Sequence, residues 1–262
     1  MTTVSQFLHF DSAASTYITD ATNTTGNSSN PYKALFPMNQ SFRNIKRVYL
    51  KSCELPIGFS NIRKGSTDTL AFKLNGTIYT VTLTEKYYQT MDSLLTDINT
   101  ACSGGFGGSV PAFALTTSTT KPYRLVVSFT GTSVTTFQFL DTNLSKYILG
   151  YRSTDPLAVG NVNSSCNYNM SADSYILMYI PSFNSLNANM SGNISTFKIP
   201  LLGFTNSVFY YFDMAAFVQY VDITDQNLVL SGLQVILYDK WGNNLQPNGL
   251  DWSFTLQVEY YV

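Results

Sequence analysis

One histidine, three cysteines and a scatter of acids are all that this chain of 262 residues offers to acid–base, nucleophilic or metal chemistry. A Ser-His-Asp or Cys-His mechanism would have to run through His9, which sits in a strand-like run beside Phe10 and Asp11 with no nucleophile elbow around it. Cys53, Cys102 and Cys166 are odd in number and widely spaced, so they suggest no disulfide framework and, with a single His, no zinc-type ligand spacing. Carboxylates alone could still hydrolyse a glycoside, since that requires two acids at a suitable separation. Asp222, Asp225, Asp239 and Asp251 all fall near expected turns, however, where Asp more often bonds its own backbone. Asp222-Ile223-Thr224-Asp225 could open a calcium loop, but the Gly and closing Glu of an EF-hand are absent. The two tryptophans, Trp241 and Trp252, flank the last turn, where they either pin the closing strands to the core or stack on a sugar. No residue is therefore assigned a catalytic, cofactor-binding or metal-binding role, and a non-enzyme is expected.

Composition points to assembly. Charged residues make up 12% of the chain and aromatics 15%, with eighteen Tyr and eighteen Phe. Such a chain has little charge with which to keep its surface solitary, and Tyr and Phe suit both strands and interface cores. Residues 1–152 carry thirteen Lys and Arg against eight acids, and residues 153–262 carry two against eight, so the halves are +5 and −6. Lys33, Arg43, Lys46, Arg47, Lys51, Arg63 and Lys64 gather around the single acid Glu54. Either strand alternation solvates these side chains or they meet an acidic partner or nucleic acid. Without a stacking motif or phosphate loop, that contact would not be sequence-specific. Residues 1–6 carry no secretory signal, long uncharged stretches such as 174–197 are interrupted by Asn, Ser, Gly or Pro, and no membrane span is expected. The thiols fit a reducing compartment. Nine Asn-x-Ser/Thr sequons read as a consequence of composition.

The elements that would position any site are strands. Residues 1–31 predict a short strand, Phe7 to Phe10, followed by an extended polar arm rich in Ser, Thr and Asn. Residues 32–68 hold two strands, the second from Ile45 to Leu55, and then a loop. From Thr69 to Gly150 the character changes. Asn75-Gly76 between alternating runs predicts a hairpin, and Thr90 as N-cap, with Met91, Leu94, Leu95, Ile98 and Cys102 on one face, predicts a helix across a small sheet. Asn143 to Leu149 predicts a helical turn closed by Gly150. Residues 151–262 return to strands. The last alternates Phe254, Leu256, Val258, Tyr260 and Val262 against polar partners to the end of the sequence. The fold expected is mainly β: a jelly-roll sandwich of about eight strands in two four-stranded sheets, with a small α+β subdomain inserted over 69–150.

Leu8-His9-Phe10-Asp11-Ser12, the polar arm, Leu50-Lys51-Ser52-Cys53-Glu54-Leu55-Pro56, the hairpin and helix, Ile148-Leu149-Gly150-Tyr151, Leu233 to Asp239 and Asp251 to Leu256 follow one another in a recognisable order. In this the chain resembles the penton or minor capsid proteins of virophages, polinton-like viruses and large icosahedral double-stranded DNA viruses of eukaryotes. The resemblance covers nearly the whole chain as a pattern and implies no catalytic residues. It implies a jelly-roll subunit forming a homopentamer at the five-fold capsid vertex, beside double-jelly-roll major capsid proteins and other minor capsid proteins. The implied location is the virion, with synthesis and assembly in the host cytoplasm. The alternatives are a carbohydrate-binding or host-attachment jelly roll using Trp241 and Trp252, a minor capsid cement protein, and a carboxylate-dependent glycosidase.

Overall fold

The computed structural model describes residues 2–18, 33–56, 59–104, 112–130, 134–152, 162–170, 174–183, 187–188, 194–201, 208–212, 218–223, 225, 227–245 and 250–262. The chain divides into two compact units, Met1–Phe59 with Asp173–Val262, and Ser60–Ala172. Of the polar arm expected over residues 11–31, the first part is instead the end of the strand Thr3–Asp11, a short turn Ser12–Ala14 and a strand Thr16–Ile18. The rest of it, from residue 19 on, lies outside the described residues, with the sequons at Asn23, Asn27, Asn189 and Asn193 and the turn at Gly203.

The first unit is an antiparallel sandwich. Its closing strand, Ser253–Tyr261, lies between the opening strand, Thr3–Asp11, and the long strand Ile45–Pro56. The outer edge of the long strand carries Val208–Phe212 and Tyr220–Asp222 end to end. The second sheet runs in the order Phe197–Pro200, Tyr175–Tyr179, Leu230–Tyr238, Lys33–Phe42, Thr16–Ile18. The architecture is thus a mainly β, jelly-roll-type sandwich, with two five-stranded sheets rather than the two four-stranded ones expected. The edge piece Thr16–Ile18 is a strand the sequence did not predict, while the two expected strands Val208–Phe212 and Tyr220–Asp222 share the last lane of the first sheet.

Alternation explains the sandwich. Phe10, Val48, Leu50, Leu55, Phe254, Leu256 and Val258 from the first sheet meet Ala34, Phe36, Ile176, Met178, Leu233, Val235 and Leu237 from the second in one buried core. Phe36 stands edge-on to Phe10, Trp252 and Phe254, at centroid distances of 5.6, 5.6 and 5.3 Å. Burial of such a ring contributes roughly 1.5–3 kcal/mol, with about 0.5–1.5 kcal/mol more from each favourable ring contact. The alternation fades at the end of the closing strand, where Tyr260 is half-buried and Val262 is 68% exposed, so the apolar face stops short of the last residue. A side-chain amide joins the two sheets at one edge. Gln219 Oε1 accepts from the Lys198 N–H at 2.8 Å, and its Nε2 donates to the Lys198 carbonyl at 2.6 Å. Gln219's own carbonyl accepts from the Leu50 N–H of the first sheet.

The second unit contains the expected hairpin and helix. Asn75 and Gly76 take φ of +48° and +86° between Thr69–Leu74 and Thr77–Thr82, as a tight two-residue turn requires. Thr90 Oγ1 accepts from the Ser93 N–H, capping the helix Met91–Gly104, whose Met91, Leu94, Leu95, Ile98 and Cys102 are buried. Asn99 ties that helix to the strand Ala112–Thr117 by bonding both backbone groups of Leu115. Gly150, at φ +78°, ends the turn Leu144–Ile148, and any Cβ there would collide with the Cys166 carbonyl. The unit is wider than 69–150 on both sides. Asn61 pairs with the backbone of Tyr88, and Ser164 and Cys166 return to Leu125 and Gly150. Polar hydrogen bonds rather than apolar periodicity draw these flanks in.

Candidate interaction surface

The outward face of the first sheet is the surface on which side chains from distant parts of the sequence converge. Phe7, Gln257, Tyr49 and Tyr220 are directly opposite one another on four successive strands, forming one row across the sheet. At ~4.8 Å between strands the row is about 14 Å wide. Phe7 is 63% and Tyr220 47% exposed, while Tyr49 is half-buried between them. The neighbouring row holds Ser5, Glu259, Arg47 and Asp222.

Arg47 locks the two rows together. Its Nε donates to Asp222 Oδ1 at 2.6 Å, its Nη1 donates to the Tyr49 hydroxyl at 3.3 Å, and its guanidinium lies 4.2 Å from the Tyr220 ring centroid. The bond to Asp222 first, and then that to Tyr49, holds the guanidinium pKa above its ordinary value. The long strand has two β-bulges against the closing strand, and the extra residues are Lys46 and Lys51. A bulge sets two residues against one, shifting the register by one while the residues beyond it keep their facing, so each adds a cation to this face. Lys46 Nζ sits 5.8 Å from the Tyr261 ring and Lys51 Nζ 5.6 Å from that of Tyr49. Among the described outward residues, Lys46, Arg47 and Lys51 thus mix with Asp11, Glu54, Asp222 and Glu259.

This pairing disperses the charge asymmetry of the sequence halves. Arg47 of the long strand is opposite Glu259 and Asp222, both from the acidic half of the chain. The first unit carries seven Lys and Arg against ten acids, a net of −3, and the second eight against six, a net of +2. Arg63 leaves the expected basic face altogether. It is 6% exposed and donates its Nε to the Ser60 carbonyl at 2.6 Å.

The residues with chemical potential are dispersed. His9 is exposed on the same face, its Nδ1 3.1 Å from Thr255 Oγ1. Asp225 and Asp239 accept backbone N–H bonds from Asn227 and from Trp241 and Asn243, which is turn chemistry. Asp222 is occupied by Arg47, and Asp251 lies 3.4 Å from the Ser12 hydroxyl. The tryptophans do not make a paired sugar platform. Trp252 is 3% exposed and stacks on Phe254, whereas Trp241 is half-buried at the turn with Lys240 Nζ 4.3 Å from its ring. The three thiols are free. Burial raises the Cys53 thiol and pushes Cys102 up to about 12. Among the described residues no group of three His, Cys, Asp or Glu is placed to hold a metal ion, and no helix is long and apolar enough to cross a membrane.

No family model matches the sequence, and no curated protein matches it. The crystal structure of the mavirus penton protein aligns over 97% of this chain and 99% of its own, with 11% identity and a TM-score of 0.51. The chain has the fold of the mavirus penton protein. A chain of the Sputnik virophage, solved by cryo-EM, aligns over 97% of this one and 98% of its own, with 12% identity and a TM-score of 0.43. The penton fold extends over both units here, since so little of the chain lies outside the alignment. The aromatic row on that fold has no sequence signature. Its members, Phe7, Tyr49, Tyr220 and Gln257, belong to four separate segments, and only strand register brings them together.

Proposed function

We propose that this chain is a structural, non-enzymatic subunit of a viral capsid, a member of the penton family of virophages and related double-stranded DNA viruses. In this reading it forms a homopentamer at the icosahedral five-fold vertex, contacts the surrounding major capsid protein and other minor capsid proteins, and belongs to the virion, assembled in the host cytoplasm. The observation that carries the reading is the fold shared with the mavirus penton protein over nearly the full length of both chains. The open aromatic row supports it. A ring of five needs a heterologous contact, in which one patch meets a different patch on the neighbour. Tyr, Phe and Arg in a flat cluster are the residues that dominate such contacts. The mixture of three cations with four acids on the same face favours a protein partner over the genome, because tracking phosphates requires an excess of cations. Native mass measurement of the isolated chain over a concentration series is expected to reach five copies, and a particle map is expected to place it at the vertices. A chain that stays monomeric at every concentration and is absent from particles would refute the proposal.

A further inference from the structure

In the second unit, the turn between Ala112–Thr117 and Leu125–Thr130 holds an aromatic residue in a backbone conformation that suits glycine. The chain reverses through Lys121-Pro122-Tyr123-Arg124, closed by the Arg124 N–H donating to the Lys121 carbonyl at 3.2 Å. Pro122 fits the second position of such a turn, and the third calls for positive φ. Tyr123 occupies it at φ +60°. A bulky side chain there is strained, and such strain persists only where the surroundings enforce it. The enforcing bonds are the Tyr168 N–H to the Tyr123 carbonyl at 2.8 Å, the Ser118 N–H to the Arg124 carbonyl at 2.8 Å, and Arg124 Nη1 to the Ser164 carbonyl at 3.0 Å. They hold out a ring that is 66% exposed, the most exposed aromatic among the described residues, edge-on to Tyr168 at 6.2 Å.

The surroundings are basic and polar. Backbone hydrogen bonds join segments 118–124, 150–152 and 163–170, through Tyr168 to Tyr123 and Cys166 to Gly150. These segments contain Lys121, Arg124 and Arg152 and no Asp or Glu. Lys121, Asn167 and Asn169 are exposed.

We propose that this tip binds an anionic saccharide, a sugar bearing carboxylate or sulfate. The tyrosine rings take the C–H face of the sugar, Lys121 and Arg124 take the anion, and the Asn167 and Asn169 amides meet hydroxyls. A turn with only a structural role would be better served by Gly at position 123. The site is in the second unit and stands or falls independently of the capsid reading.

The test presents the full chain to immobilised heparan sulfate oligosaccharide and sialyllactose, with lactose as the neutral control. Binding is expected to at least one anionic sugar and not to lactose, and it should weaken as salt is raised. Tyr123→Gly is expected to keep or raise the thermal midpoint by relieving the turn, while binding falls on the order of tenfold. Lys121→Glu should also weaken binding. No binding to either anionic sugar, equal binding to lactose, or undiminished binding by Tyr123→Gly would overturn the proposal.

Discussion

The two outward faces of the sandwich use the same kinds of residue to opposite ends. On the second sheet, Leu177 and Ile236 lie between inward-facing neighbours and so point away from the core, yet they are only 2% and 4% exposed. Their cross-strand partners are Tyr238 and Tyr179, whose rings are 6.4 Å apart. On the first sheet, Phe7 and Tyr220 occupy equivalent outward positions and remain 63% and 47% exposed. One face is closed by the chain itself, and the other keeps its rings in water. A monomer gains nothing from leaving the rings of Phe7 and Tyr220 open at the two ends of one row, whereas a subunit that covers them with a neighbour does. The difference teaches that aromatic content alone does not identify an interface. In the proposed assembly, the feature that would mark one is the aromatic row that the chain leaves uncovered.

Substitutions that treat the two faces alike should separate them. Leu177→Asp places a charge where the chain has closed over, and is expected to cost about 4 kcal/mol or more in chemical denaturation. Phe7→Asp on the open face should stay within about 0.5 kcal/mol of the parent. Equal losses would erase the distinction. A smaller effect is expected at the joint between the sheets. Gln219→Ala removes both bonds to Lys198 and one to the Tyr211 hydroxyl, a loss of roughly 1–3 kcal/mol, read most directly as faster amide exchange at Lys198. Unchanged exchange there would show that the edge strand is held by other means.

The smallest effect is an acid-side control in the second unit. Asp97 accepts from Lys86 Nζ at 2.8 Å and from the Tyr88 hydroxyl at 2.7 Å, and these bonds, Lys86 first, lower its pKa below the ordinary 3.8. A lowered carboxylate stabilises the folded state above its unfolded pKa and loses that contribution as pH falls through the folded value. Its share of stability should therefore be complete above pH 3.8 and decline below it. The effect should be slight for a side chain that is 40% exposed. Asp97→Asn is expected to flatten that part of the unfolding curve, and an identical acid slope in the variant would contradict the assignment.

Much of the fold was legible wherever one short signal decides one element. Asn75-Gly76 specifies its hairpin because both residues tolerate positive φ, and Thr90 specifies the helix start through its hydroxyl. Phe254, Leu256 and Val258 reveal the closing strand by alternation. The opening strand was legible only over Phe7 to Phe10, because Thr3-Val4-Ser5-Gln6 alternates weakly and is specified by its pairing with the closing strand. The flanks of the second unit were not legible, since Asn61 and Ser164 act through backbone hydrogen bonds with no periodicity to read. The candidate surface was the least legible. The bulges at Lys46 and Lys51 exist only relative to a partner strand, and Phe7 meets the row of Tyr220 through register across the whole sheet. The basic segment was visible as composition, but the burial of Arg63 and the pairing of Arg47 with Asp222 depend on the fold.

The open face as the subunit contact is tested most directly by the native mass of Phe7→Ser/Tyr220→Ser measured beside the parent chain, with thermal midpoints recorded for both. The expected result is a parent that assembles to five copies and a variant that remains monomeric with its midpoint preserved. A variant that assembles at the same concentrations as the parent would contradict it.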